Sequence, residues 1–194
     1  MQYEDFQHLL FERLPDGVLL VTLNRPEVMN ATNARMHWEL TKVWGVVNDD
    51  PTVKVVIVTG AGDRAFSAGG DLGMVEDMVG NPEAVAVVMK EAADIVYNML
   101  ACDKPIVSAI NGTAVGAGLA VALLADVSIM SDTARITDGH ARLGVGAGPW
   151  RGHHTAGGAG HAFQVHPQLL RNSGRAQDGL RHLLRLCRPC AEGE

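Results

Sequence analysis

The chain of 194 residues carries a formal net charge of −6, with 47% hydrophobic and 20% charged residues; this globular composition excludes wholesale disorder, a collagen-like repeat and a coiled coil. The negative charge argues against a nucleic-acid partner, and no uncharged apolar run reaches the roughly eighteen residues of a membrane span. Three cysteines do not make a disulfide framework and the acidic N-terminus lacks a signal-peptide pattern, so we expect a reducing, cytoplasmic location.

The first third of the chain predicts a hairpin followed by a helix. The segment HLLFERL at 8–14 and the apolar run at 18–23 flank a Pro-Asp-Gly sequence, an arrangement typical of a β-hairpin. Either Asn33 or Thr32 is a suitable cap for a helix over 34–48. Helical spacing turns one set of apolar side chains inward: Met36, Leu40 and Val43 or Val47.

The middle of the chain alternates strands with loops of small residues. Residues 53–59 and 106–110 are almost continuously apolar, which is typical of strands buried on both faces. A further strand is predicted at 127–130. The two loops lie at 65–72 and 111–118 and are rich in Gly, Ala and Ser.

Two more helices are predicted between these strands. One follows Asn81-Pro82 and runs from about 83 to 100; its inward face is predicted to carry Val85, Val88, Met89, Ala92 and Ile95. A second, strongly hydrophobic helix is predicted over 119–124. The repeated order of strand, glycine loop and helix predicts an α/β fold with right-handed crossovers.

The two glycine loops each lead from a buried strand into a helix, and this placement has two interpretations. Backbone N–H groups at helix starts are unpaired and favour negative charge, so two of them converging on one point would hold a developing oxyanion. Alternatively, the glycines only permit close packing of strand and helix. The spacing alone leaves both interpretations open.

Other kinds of site are disfavoured by the motifs. The glycines at 112, 116 and 118 do not follow the dinucleotide-binding order, and Walker-type and nucleophile-elbow sequences are absent. Cys187 and Cys190 lie among residues with no recognisable zinc scaffold, so we predict no metal site.

The last segment of the chain differs in composition from the rest. Residues 1–148 hold 10 Lys+Arg against 19 Asp+Glu, whereas residues 149–194 hold six Arg against three acids. The segment 149–194 also holds five of the eight histidines and seven glycines. We therefore predict a core domain over 1–148 and an atypical basic tail over 149–194 that is irregular or loosely helical. The tail has two interpretations, a basic interaction segment or translation of a GC-rich gene in the wrong frame.

The motifs together resemble the enoyl-CoA hydratase/isomerase (crotonase) family. The matching stretches, in family order, are LNRPEVMNATN, VIVTGAGDRAFSAGGDL, KPIVSAINGTAVGAGLAVALLADVSIMS and ARLGV. The resemblance covers about residues 7–148. It implies a core of repeated ββα units that binds acyl-CoA thioesters, with coenzyme A as part of the substrate and no separate cofactor.

The resemblance also implies site residues. Two backbone N–H groups would hold the thioester oxygen as an enolate forms, and by motif position these are Gly70 and Ala117. The coenzyme A would be bordered by two segments, namely Glu27 and Val28 in the first and Ala68, Gly69, Gly70, Asp71 and Leu72 in the second.

Two positions depart from the pattern of the family's hydratases, in which two glutamates activate water. The position of the first glutamate is Ala120 here, and that of the second is His140. Alanine cannot transfer a proton, whereas histidine titrates near neutral pH. We therefore expect impaired hydration, with His140 as the candidate acid–base group.

The tail is the third departure from the family. Its members continue after the Leu-Gly-Val segment with helices that cover the acyl pocket and build trimers. Gly148-Pro149-Trp150 replaces that continuation here, and codons of these residues read one nucleotide later can encode Asp-His-Gly. The sequence predicts a truncated or altered C-terminal helical region, and a trimer less regular than in relatives.

Three functions follow from these observations. The first is an enoyl-CoA hydratase/isomerase acting on an acyl-CoA through a backbone oxyanion hole. The second is a catalytically silent acyl-CoA-binding or scaffold protein with the same core. The third is an unrelated α/β interaction protein whose basic tail binds an acidic partner. The paired loops favour the first two over the third.

Overall fold

The computed structural model describes residues 1–137, which form two β-sheets and four α-helices. The larger sheet is built from β1 (Leu9–Leu14), β2 (Val18–Leu23), β3 (Val55–Gly60), β5 (Ile106–Ile110) and β7 (Val127–Met130). The smaller sheet is built from β4 (Ala65–Ser67), β6 (Thr113–Val115) and β8 (Ile136–Thr137). The helices are α1 (Ala34–Asn48), α2 (Leu72–Met78), α3 (Pro82–Leu100) and α4 (Gly116–Leu124).

Strand order follows the chain except where it crosses between the sheets. The larger sheet has the order β1-β2-β3-β5-β7, and the smaller one β4-β6-β8. Strands β1 and β2 form the predicted antiparallel hairpin, while all other pairs are parallel. Because β3 and β5 are parallel, both end at the same edge of the larger sheet. After β3 the chain enters β4 of the smaller sheet, and after β5 it enters β6. The predicted α/β fold is confirmed.

Apolar side chains of the larger sheet are buried on both faces. On one face Val56 and Val58 pack with Trp44 of α1 in the main core, and on the other Leu20 and Ile57 form a smaller cluster with Val107. This burial confirms the prediction made from the continuous apolar run of β3.

Helix α1 forms over the predicted residues. The side chain of Asn33 accepts a hydrogen bond from the Met36 N–H at 2.9 Å, so Asn33 rather than Thr32 is the cap. All four residues predicted to face inward are buried: Met36, Leu40, Val43 and Val47.

Helix α3 corrects the prediction of its buried face. Ala92 and Ile95 are buried as predicted, but Val85 is 39% and Met89 is 42% exposed. The buried residues of α3 lie in its C-terminal half, where Val96 and Met99 extend the buried face. Helical periodicity identifies the apolar face of α3 but not how far a neighbouring element covers it.

The two predicted loops also contain more regular structure than expected. Three-residue strands β4 and β6 lie inside them, and α4 begins at Gly116 instead of residue 119. The short helix α2, which follows the first loop directly, was not predicted either. Strands of three residues are too short to display an alternating pattern, so hydrophobic periodicity alone does not predict the second sheet.

Several predictions concern residues outside 1–137. These are the domain boundary after residue 148, the altered C-terminal region and the character of the segment 149–194. They stay predictions. Within residues 1–137, no helix is both long enough and apolar enough to cross a membrane.

Candidate active site

The two predicted glycine loops contact each other at the carboxyl ends of β4 and β6 in the smaller sheet. A Cβ atom built on Gly116 would lie 3.6 Å from Gly69 Cα and 3.9 Å from Gly70 N. A Cβ on Gly69 would lie 3.0 Å from the Val115 carbonyl oxygen. Gly69 and Gly116 both have positive φ angles, +90° and +51°. Backbone conformation and close approach therefore both favour glycine at these two positions.

The peptide group between Gly69 and Gly70 has a fixed orientation. The Gly69 carbonyl accepts a hydrogen bond from Thr32 N–H at 2.7 Å, and Asp71 N–H donates to the Thr32 carbonyl at 3.0 Å. No peptide bond of the described chain is cis, so the Gly70 N–H points away from Thr32. Among residues 1–137 this N–H has no hydrogen-bond acceptor, and Gly70 itself is exposed.

Ala117 lies in the first turn of α4, directly after Gly116. The preceding residue, Val115, supplies no side-chain cap. The N–H of Ala117 is one of the four that a helix leaves without an intrahelical partner, at the end of the helix where the macrodipole is positive. The structure thus brings together two loops that each present a main-chain donor, at Gly70 and at Ala117.

Other glycines of these loops, and Gly60 at the end of β3, permit close packing. A Cβ on Gly118 would collide with the Ser67 side chain, and a Cβ on Gly112 would lie 2.6 Å from the Arg64 carbonyl oxygen. A Cβ on Gly60 would lie 2.7 Å from Phe66 Cα. The packing interpretation therefore applies at these positions, while the oxyanion interpretation of Gly70 and Ala117 stays a prediction.

The segment before α1 is the third part of the chain that contributes to the candidate site, beside the two glycine loops. Ala68 N–H donates to the Met29 carbonyl at 2.9 Å, which joins this segment to the first glycine loop. Glu27 and Val28 lie in a short 3₁₀ turn just before Met29, and both are exposed. Leu72, at the start of α2, is 67% exposed. The predicted coenzyme-contacting residues thus lie on connected segments of the surface.

Asn30 holds these segments together and was not identified from the sequence. It is fully buried, with a φ angle of +53°, and its side-chain N–H groups donate to the carbonyls of Ala61 and Ala65, both at 2.9 Å. Its side-chain oxygen accepts from Arg25 N–H at 2.9 Å, and its carbonyl accepts from the Ser67 hydroxyl at 2.8 Å. Only the tolerance of asparagine for left-handed backbone could have indicated this role.

Arg25 and Asp71 form an ion pair that the sequence did not predict. The Arg25 Nη1 atom lies 2.9 Å from Asp71 Oδ2 and donates to the Ala31 carbonyl at 2.6 Å. The other carboxylate oxygen of Asp71 accepts from Gly73 N–H at 3.1 Å and caps α2. The hydrogen bond from Arg25, followed by that from Gly73, holds the pKa of Asp71 below its usual range.

The two positions of the family's glutamates have different outcomes. Ala120 lies in α4 and is 4% exposed. Its methyl side chain is small and apolar and has no proton to transfer. His140, the candidate acid–base residue, lies outside the described residues.

Comparison with known proteins shows what this chain is similar to. The model of the family described as "Enoyl-CoA hydratase/isomerase" matches residues 13–182. An (E)-benzylidenesuccinyl-CoA hydratase of Thauera aromatica is 39% identical over 118 residues, which are 61% of this chain and 45% of that protein. A probable enoyl-CoA hydratase of Rhodobacter capsulatus is 34% identical over 138 residues, 71% of this chain and 52% of that protein.

Solved structures agree with the sequence comparisons. An enoyl-CoA hydratase/isomerase from Mycobacterium paratuberculosis superposes with a TM-score of 0.68 at 34% identity, covering 72% of this chain and 55% of that one. The crotonase-like fold expected from the motifs is therefore confirmed. The chain spans about half the length of the curated relatives it matches, and the family match extends past residue 148. On this evidence, the chain belongs to the enoyl-CoA hydratase/isomerase family.

Proposed function

We propose that the chain binds an acyl-CoA thioester and stabilises its enolate through the main-chain N–H groups of Gly70 and Ala117. The observation that carries this proposal is the contact between the two glycine loops, with a Cβ on Gly116 only 3.9 Å from Gly70 N. Donors already fixed in position lose little free energy to reorganisation when charge develops on the substrate oxygen.

The proposed chemistry begins with transfer of a proton from the carbon next to the thioester carbonyl to a base, for which His140 is the candidate from the sequence. The electron pair of that C–H bond moves toward the carbonyl, and the thioester oxygen gains negative charge. Gly70 and Ala117 donate to this oxygen, and the positive end of α4 adds to the attraction at Ala117. The side chains that border the coenzyme A are proposed to be Glu27, Val28 and those of the 68–72 loop.

A test of this proposal removes one donor and keeps its neighbour as a control. Gly70→Pro deletes the N–H, whereas Gly70→Ala keeps it, and the nearest atom to the added Cβ lies 3.8 Å away, on Val75. We expect Gly70→Pro to weaken the binding of acetoacetyl-CoA, an enolate-forming thioester, by roughly 10²-fold, as for loss of an oxyanion donor. Calorimetry on variants that keep the wild-type circular dichroism gives the affinities. Equal affinities of Gly70→Pro and Gly70→Ala would contradict the proposal.

We further propose that hydration of 2-enoyl-CoA is slow. A buried alanine occupies position 120, and each missing acid–base group commonly costs about 10²–10⁴-fold in rate. Crotonyl-CoA is the substrate to use, since hydration removes its enoyl absorbance. A turnover equal to that of an efficient hydratase would contradict this proposal. If slow turnover persists, His140→Ala should abolish it.

The alternative is an acyl-CoA-binding or scaffold protein without turnover. The small, apolar side chain of Ala120 favours it, because the donors can hold a thioester where no described side chain activates water. This second function would be supported if the chain binds butyryl-CoA but neither hydrates crotonyl-CoA nor exchanges the protons at the α-carbon of butyryl-CoA. Proton exchange without hydration would support an enolate-forming enzyme instead.

A further inference from the structure

A chain of hydrogen bonds leads from the Arg25 guanidinium to the Gly70 N–H. Arg25 Nη1 donates to the Ala31 carbonyl at 2.6 Å. That carbonyl belongs to the same peptide group as Thr32 N–H, which donates to the Gly69 carbonyl at 2.7 Å. The Gly69 carbonyl in turn shares its peptide group with Gly70 N–H. Two peptide groups therefore connect a cation to the donor.

We propose that Arg25 is a positioning residue that strengthens the Gly70 N–H as a donor through the peptide groups of Ala31–Thr32 and Gly69–Gly70. The proposal rests on the function proposed above and assigns a residue that the motif comparison did not assign. The hydrogen bonds of the Arg25 guanidinium go to the Ala31 carbonyl and the Asp71 carboxylate, not to Gly70. The effect of Arg25 passes through two hydrogen bonds.

The physical basis is polarisation along a hydrogen-bonded chain. A hydrogen bond accepted by a peptide carbonyl draws electron density from the N–H of the same peptide, so that N–H becomes a stronger donor. A charged group at the head of the chain makes the first bond stronger than a neutral donor would. The Arg25 side chain is only 15% exposed, so water screens this charge less than at a fully exposed site.

Asp71 contributes to the same arrangement. Its carboxylate holds the guanidinium at 2.9 Å, and it lies one residue after Gly70. Without Arg25 this negative charge would stand uncompensated beside a developing oxyanion and would oppose it. Arg25 thus both polarises the donor chain and neutralises the nearest carboxylate.

The Ala117 donor has a different source of strength. It lies at the positive end of α4 and needs no side chain for its polarity. Replacement of Arg25 is therefore expected to weaken only one of the two donors. The expected effect is smaller than that of deleting Gly70 N–H.

The test uses the full chain with Arg25→Gln, Arg25→Lys and a matched control, Arg13→Gln. Arg13 also pairs with an aspartate, Asp50, at 2.8 Å, and donates to the Thr52 hydroxyl at 2.6 Å, away from the glycine loops. Polarisation strengthens each hydrogen bond of such a chain by about 10–30%, and one oxyanion donor contributes about 10²–10³-fold to transition-state stabilisation. Loss of that fraction of the donor's free energy predicts roughly two- to eightfold weaker binding of acetoacetyl-CoA in Arg25→Gln.

Butyryl-CoA, which does not form a stable enolate, provides the comparison ligand. Arg25→Gln should affect its affinity much less than that of acetoacetyl-CoA, Arg25→Lys should restore part of the loss, and Arg13→Gln should alter neither affinity. Equal weakening for both ligands would indicate a purely structural role and overturn the proposal.

A ligand-free measurement separates this inference from the proposed function. The amide proton of Gly70, followed by ¹H–¹⁵N NMR, should move upfield in Arg25→Gln and keep its position in Arg13→Gln. A chain that binds neither thioester would overturn the proposed function, while the Gly70 shift would still decide the role of Arg25. An unchanged Gly70 resonance in Arg25→Gln would overturn the polarisation proposal.

Discussion

The loop at 65–72 and the loop at 111–118 carry similar residues but are held by different balances of interaction. Polar contacts to the segment before α1 hold the first loop, through Asn30, the Thr32 backbone and the pair of Arg25 with Asp71. The second loop is bonded at its first residue, where the Asn111 side chain donates to the Gly60 and Gly62 carbonyls. Beyond Asn111 close packing holds it, because Gly112 and Gly118 lie against the backbone of Arg64 and the side chain of Ser67. A change of polarity at Asn30 should therefore damage the first loop, and a change of volume at Gly118 should damage the second.

The largest effect on stability is expected from Asn30→Ala. The substitution leaves the Ala61 and Ala65 carbonyls and the Arg25 N–H without their partner, and each buried unsatisfied group costs about 1–3 kcal/mol. We expect the free energy of unfolding in urea to fall by about 3–5 kcal/mol.

Asn98→Ala is the matched control for Asn30→Ala. The Asn98 side chain makes one hydrogen bond to the Thr41 carbonyl at 2.9 Å, outside the glycine loops. Its loss should cost about 1 kcal/mol. Similar losses for the two asparagines would contradict the view that Asn30 joins three segments.

A smaller loss is expected from Gly118→Ala, which tests the packing of the second loop. The added methyl group meets the Ser67 side chain, and overpacking of this kind typically costs about 1–3 kcal/mol. The matched change, Gly45→Ala in α1, has no atom within 4 Å of the new Cβ and should stabilise the chain by about 0.5–1 kcal/mol. Thermal unfolding measures both, and a stabilising Gly118→Ala would refute the packing argument.

The smallest effect is expected from Asp71→Asn, and it depends on pH. Asparagine keeps the cap on α2 but loses the charge that pairs with Arg25. The folded-state pKa of Asp71 is lowered, so its contribution is complete above the unfolded carboxyl pKa of about 4 and is lost as pH falls through the folded value. Wild type should exceed the variant by about 0.2–1 kcal/mol at neutral pH.

Urea unfolding of wild type and Asp71→Asn at a series of pH values measures this difference. The two chains should converge in stability as the solution is acidified. A stability difference between the two chains that grows toward low pH would be opposite to the expected pH dependence and would count against the ion pair.

Sequence periodicity predicted the elements that bury a continuous apolar surface. The hairpin, α1, and strands β3, β5 and β7 were found close to their expected bounds, because their apolar patterns extend over four or more residues. The exposed half of α3 was missed, since Val85 and Met89 match the helical period and tertiary contacts alone decide their exposure.

The motifs predicted where the candidate site lies but not which contacts hold its loops in place. Gly70 and Ala117 lie in loops that meet, as the motif resemblance implied. Arg25 and Asn30 were missed, because a side chain that bonds to distant carbonyls leaves no periodic signal in the sequence. Their partners are known only once β4 and the segment before α1 are seen side by side.

The proposed use of peptide groups as donors would affect how this chain tolerates mutation. The position that would touch the substrate, Gly70, has 3.8 Å of clearance to its nearest neighbour and tolerates a methyl group sterically. The vulnerable positions lie elsewhere, at buried Asn30 and at Gly118. Under the proposed function, random substitution would inactivate this chain mainly by displacing the donors, and the tolerance of a position to mutation would be a poor guide to its distance from the chemistry.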